Sequence, residues 1–105
     1  MGATTKWFSL PATFSQKEVT EYFESRQDSD RQEYLYEHDG DEDGAFYSGG
    51  FNTNSGLRFF NREFEDFEKA EEFCSENSEK WGNAVAVKYK HEEKLLWLVF
   101  AWCAE

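Results

Sequence analysis

The most continuous apolar pattern in the chain lies at its C-terminal end, where nine hydrophobic residues, 95–103, follow Lys94. Both alternate rows of this run are apolar, which predicts a strand that is buried on both faces. The preceding segment 83–90 alternates between apolar and polar residues, and a turn at 91–93 joins the two segments as a hairpin. We therefore expect the C-terminal strand to form the centre of a sheet on which the rest of the chain packs.

Two helices are predicted from the residues that cap their N-termini. Ser15 and Glu18 have the spacing of a capping box, in which each side chain accepts a hydrogen bond from the other residue's backbone amide, and the helix is expected over 16–27. Asp66 is the expected N-cap of a second helix over 67–77, whose apolar residues recur at helical spacing.

The remaining strands are expected at 4–10, 33–38, 44–48 and 57–64, with an acidic turn at 39–44 joining the second strand to the third. The predicted order is β-α-β-β-β-α-β-β, which indicates an α+β fold with an antiparallel-rich sheet. All 105 residues are assigned to this single domain, and the two acidic helices are expected to share one face of the sheet.

Twenty aromatic residues, eleven of them Phe, supply the apolar area that a chain without Ile needs for a core. The chain has no apolar N-terminal signal and no apolar run long enough to cross a membrane, so a cytoplasmic protein is expected. Cys74 and Cys103 are expected to be reduced, and acidic neighbours on the second helix should raise the pKa of Cys74.

The formal net charge is −11, and segments 15–43 and 63–80 carry nineteen of the twenty-two carboxylates. Direct binding of DNA, RNA or an anionic membrane is not expected, because phosphate contacts require Lys and Arg. A basic protein is the natural electrostatic complement. The alternative is that the charge serves only to keep an aromatic-rich domain in solution.

The predicted acidic turn contains part of a metal-binding pattern. Asp39, Asp41 and Asp43 have the alternate spacing of a calcium-binding loop, and Gly44 follows in the sixth position. The twelfth position, which should supply a bidentate Glu, is Gly50. No metal and no cofactor are therefore predicted, and weak binding of a divalent ion stays open as an alternative.

No arrangement of residues in the sequence indicates catalysis. His38 and His91 belong to no motif with a nucleophile, and the chain has neither a phosphate-binding glycine loop nor zinc-ligand spacing. Segment 58–62 combines Arg and Phe as a single-stranded nucleic-acid platform does, but the acids that follow it favour a strand that buries its rings. The protein is predicted not to be an enzyme.

The acidic helices support a hypothesis about function. Carboxylates at i and i+4 are roughly 6 Å apart on a helix, which is comparable with the spacing of phosphates along a nucleic-acid strand. In size, element order and acidity the chain resembles the small inhibitors that phages and other mobile elements direct against host nucleases. This resemblance implies an inhibitor of a nucleic-acid-binding protein, as anti-restriction and anti-CRISPR proteins are.

The residues expected to contact such a partner are all carboxylates of the two helices and the acidic turn: Glu21, Glu24, Asp39, Asp41, Asp43, Glu65, Glu68, Glu71, Glu72 and Glu76. A second hypothesis is a scaffold or subunit that associates through exposed aromatic residues, and a homodimer is one form that such association could take. The candidates for that surface are Tyr34, Tyr36, Phe46 and Phe59.

Overall fold

Two helices and four strands make up the part of the chain that the computed structural model describes, which is residues 3–37, 51, 54–79 and 82–104. In chain order the elements are β1 (Ala3–Pro11), α1 (Gln16–Glu37), β2 (Gly56–Phe64), α2 (Phe67–Asn77), β3 (Asn83–His91) and β4 (Lys94–Ala104).

The four strands form one mixed sheet in the order β1-β4-β3-β2. Strand β4 runs antiparallel to both of its neighbours, β1 and β3, whereas β2 runs parallel to β3. Strand β4 is therefore interior, with its backbone hydrogen-bonded on both edges. The predicted α+β class, the antiparallel-rich sheet and the interior position of the C-terminal strand are confirmed.

The sheet is covered on both faces, each by a different helix. On one face, here called the α1 face, Val19 and Phe23 of α1 pack with Trp97 and Val99 of β4. On the other, the α2 face, the buried residues come from α2, β3 and β4: Ala70, Cys74, Val85, Val87, Tyr89, Leu98 and Phe100. The prediction that the helices share one face is wrong, because both rows of β4 are apolar and each row requires its own cover.

Helix α1 is longer than the sequence pattern indicated. It continues through the polar residues 28–32 to Glu37, so the strand predicted at 33–38 is wrong over 33–37. Segment 28–37 contains neither Gly nor Pro, so nothing local ends the helix. A long-range contact also holds it, because the buried Asp30 carboxylate accepts a hydrogen bond from the Phe51 amide at 2.8 Å. The predicted turn at 39–44 and strand at 44–48 lie outside the described residues.

Three predictions from local sequence patterns are confirmed: the capping box, the bounds of the second helix and the C-terminal hairpin. The capping box forms, with Ser15 N donating to Glu18 Oε1 at 3.0 Å and Glu18 N donating to Ser15 Oγ at 3.2 Å. Helix α2 has the predicted bounds. The hairpin of β3 and β4 turns through Glu92 and Glu93, both with positive φ, which suits a tight two-residue connection.

Candidate protein-binding surface

Helix α2 is fixed over the sheet at both of its ends. At its start the Asp66 side chain accepts a hydrogen bond from the Lys69 amide at 2.9 Å, and the Phe67 ring lies 4.7 Å from that of Trp7 on β1. At its end Trp102 of β4 donates from Nε1 to the Ser75 carbonyl at 3.0 Å. These contacts hold the helix, and hence the direction in which its carboxylates project, in one position on the α2 face.

The outward side of α2 is a row of exposed carboxylates, which we call the α2 acidic row. It consists of Glu65 just before the helix and of Glu68, Glu72 and Glu76 within it, and all four are exposed. Glu71 is half-buried beside them. Lys69 lies 3.6 Å from Glu65, but this pair is highly exposed and such pairs contribute little.

Basic residues nearby lie against aromatic rings rather than carboxylates. The Arg62 guanidinium is 5.0 Å from the centre of the Phe73 ring, and that of Arg58 is 4.7 Å from the centre of the Phe60 ring. Within the described residues, Lys69 is the one base within 4.0 Å of a carboxylate of the α2 acidic row, through its pair with Glu65. The negative charge of the row is therefore largely uncompensated by neighbouring cations.

The predicted contact residues do not form a single surface. Glu21 and Glu24 are exposed on α1, which covers the opposite face of the sheet from α2. Asp39, Asp41 and Asp43 lie outside the described residues, so the alternative of weak divalent-ion binding by this segment stays a prediction. The structure thus brings together Glu65, Glu68, Glu71, Glu72 and Glu76, and it separates them from the carboxylates of α1.

The thiol of Cys74 is buried beneath the acidic row, on the α2 face of the sheet. Burial, with a smaller contribution from the nearby Glu71 carboxylate, raises the pKa of Cys74 to about 12. The predicted direction of this shift is confirmed, although burial is the larger cause. Cys103 lies on the α1 face, so the sheet separates the two sulfur atoms and no disulfide joins them.

Sequence reasoning missed an aromatic surface between α2 and the edge strand β1. A groove there, the α2–β1 groove, is lined by Thr5, Glu71, Glu72, Ser75, Phe100 and Trp102. Trp7, which follows Thr5 on the same row of β1, is 48% exposed. The signal in the sequence was the alternation of Thr5, Trp7 and Ser9, since a row with one aromatic among polar residues is not that of a fully covered strand.

Phe59 is predicted from the sequence to be an exposed aromatic residue, and the structure contradicts this prediction. Phe59 packs against the core with its ring 5.5 Å from that of Trp97, so it is not an exposed anchor. Among the residues that the structure describes, no group of three or more His, Cys, Asp or Glu side chains could hold a metal ion. The described helices include none long and apolar enough to cross a membrane.

Comparison of the chain with protein-family models, with curated proteins and with solved structures finds no match.

Proposed function

We propose that this protein is a non-enzymatic protein-binding module and that its α2 acidic row engages a basic partner. The observation that carries the proposal is the row itself, with exposed carboxylates held on a helix that is fixed at both ends. Such a rigid array of negative charge complements the Lys and Arg side chains with which proteins contact phosphates.

The most specific form of this proposal is an inhibitor that occupies the nucleic-acid site of its partner. Anti-restriction and anti-CRISPR proteins would be of this class. Because α1 and α2 cover opposite faces of the sheet, a single flat partner face would meet the carboxylates of one helix only, and the proposal takes those of the α2 acidic row.

The test is capture of basic proteins by the immobilised chain at low salt, with elution by a salt step and identification by mass spectrometry. The variant Glu68→Lys/Glu72→Lys/Glu76→Lys should lose the captured proteins. A matched control, Glu21→Lys/Glu24→Lys/Asp28→Lys, changes the net charge equally on the opposite face and should retain them. An oligonucleotide ligand of a captured protein should compete with the chain. Equal loss from both variants would contradict the proposal, since it would indicate net charge rather than a surface.

A second candidate is association through exposed aromatic residues, and it is favoured by Trp7 and Tyr22, which are 48% and 40% exposed. The sequence also predicts an aromatic surface that includes Tyr34, Tyr36 and Phe46. The structure does not describe the side chains of these three residues. Association of this kind would persist at high salt, whereas capture by the acidic row would not.

A further inference from the structure

Strand β1 is an edge strand of the sheet, and among the described residues no strand pairs with its outer backbone groups. It pairs with β4 through nine successive residues without a register shift. The opposite edge strand, β2, has an irregular register between Phe59 and Glu63, of the kind that discourages pairing with another chain. In the described part of the chain, no backbone hydrogen bond outside the sheet involves residues 3–10. The regular edge of β1 is therefore a template for a further strand.

The α2 face of β1 is not covered in the way that the neighbouring strands are. Helix α2 packs mainly on β3, β4 and β2 and reaches β1 through the contact of Phe67 with Trp7, and the α2–β1 groove lies beside it. The floor of the groove is aromatic, from Phe100 and Trp102, and its wall on α2 carries the carboxylates of Glu71 and Glu72. Next to the groove, one part of the Trp7 indole packs on Phe67 while about half of its surface stays exposed.

Charge decides which occupant this surface suits. A second copy of the chain, paired edge to edge about a two-fold axis normal to the sheet, would place two acidic walls on the same side of the joint. Like charges oppose that arrangement, and the net charge of −11 adds to the opposition. A cationic strand would be attracted to this surface, whereas a second copy would be repelled. The Lys or Arg side chains of such a strand meet carboxylates on α2 and an exposed indole on β1.

We propose that β1 accepts an extended, Lys- or Arg-rich segment of a partner protein as a fifth strand of the sheet. Side chains of a strand alternate between its faces, so every second residue of the segment lies on the α2 face, as Thr5, Trp7 and Ser9 of β1 do. The preferred segment thus has a cation at alternate positions, with its aliphatic stem over Trp7 or the groove and its charge toward Glu71 and Glu72. This inference rests on the proposed function for the sign of the partner's charge.

The test uses a dye-labelled decapeptide of alternating Lys and Thr, with binding to the intact chain followed by fluorescence anisotropy at low ionic strength. The same peptide N-methylated at every amide keeps its charges but cannot pair with a strand, and it should not bind. Glu72→Gln should weaken binding by up to about fivefold, the upper end for loss of one exposed ion pair. Glu24→Gln, which removes the same charge from α1 on the opposite face of the sheet, should leave affinity unchanged.

The aromatic contribution has its own matched pair of variants. Trp7→Thr removes the exposed indole and keeps a residue suited to a strand. It should weaken binding of the peptide at least as much as Glu72→Gln does. Tyr22→Ala removes an exposed ring on the opposite face and should have no effect. Thermal unfolding of each variant establishes that it is folded.

Three results would overturn the inference: equal binding of the N-methylated peptide, equal weakening by Glu24→Gln and Glu72→Gln, or dimerisation of the chain that the peptide does not reverse. The first two results, combined with capture of basic proteins that depends on α2, would overturn only the strand-pairing site. Absence of such capture would instead overturn the proposed function.

Discussion

Glu72 lies between two like charges on α2, and this position makes its contribution to stability predictable. Glu68 and Glu76 are its neighbours at i−4 and i+4, and all three side chains are exposed. Neutralising the middle residue with Glu72→Gln relieves both repulsions. Each like-charge pair costs about 0.2–0.5 kcal/mol, so the variant should be more stable by roughly 0.4–1 kcal/mol at low salt.

Reversing the charge should stabilise the protein further. In Glu72→Lys the pair with Glu68 has the favourable order, acid before base, while the pair with Glu76 has the weaker reverse order. Replacing two repulsions by two attractions of this size should raise the free energy of unfolding by about 0.8–2 kcal/mol. For a domain of this length that corresponds to an increase of roughly 5 °C in the melting temperature.

The assay is urea unfolding of the wild type and both variants, at low salt and at high salt. The gain should shrink at high salt, because exposed charges are screened there. Lys69→Gln is a control for which the expected change in stability has the opposite direction. It removes the partner of Glu65 and should reduce stability slightly at low salt. An unchanged or lower stability for Glu72→Lys, or a gain that salt does not reduce, would refute the argument that the row carries uncompensated repulsion.

The same substitution should act in opposite directions on stability and on binding. Glu72→Lys stabilises the fold but weakens capture of a basic partner if the row is the binding surface. A residue that costs stability and supports binding is common at functional sites, where selection acts on function once stability is sufficient.

Two further outcomes are expected. The pKa of Cys74 is raised from 9.0 to about 12, so between these pH values unfolding should release the proton of the thiol. The free energy of unfolding should therefore fall as the pH rises through that range, by up to about 1.4 kcal/mol per pH unit. The contribution is measured by comparing the pH dependence of stability of the wild type with that of Cys74→Ala, and an identical dependence in the two proteins would contradict it. Asp66→Ala should cost about 1 kcal/mol in urea unfolding because it removes the N-cap of α2, whereas Asp66→Asn should retain most of the stability, and equal losses from the two variants would count against a capping role.

Local signals in the sequence determined the helix starts, the bounds of α2 and the hairpin at the C-terminus. Each depends on residues close together in the chain, such as Ser15 with Glu18 or Asp66 with the Lys69 amide. The apolar rows of β4 likewise indicated burial on both faces. The carboxylates of α2 could be identified for the same reason, since helical spacing alone places them along one side.

Tertiary structure decided the length of α1, the face that each helix covers and the strand that lies at the edge. The continuation of α1 involves a contact between Asp30 and Phe51, which no local pattern reveals. Strand order likewise depends on pairing between distant segments, as between β1 and β4 at opposite ends of the described chain. These long-range contacts separate the carboxylates of α1 from those of α2 and place Trp7 beside α2, because packing rather than sequence spacing sets which residues meet.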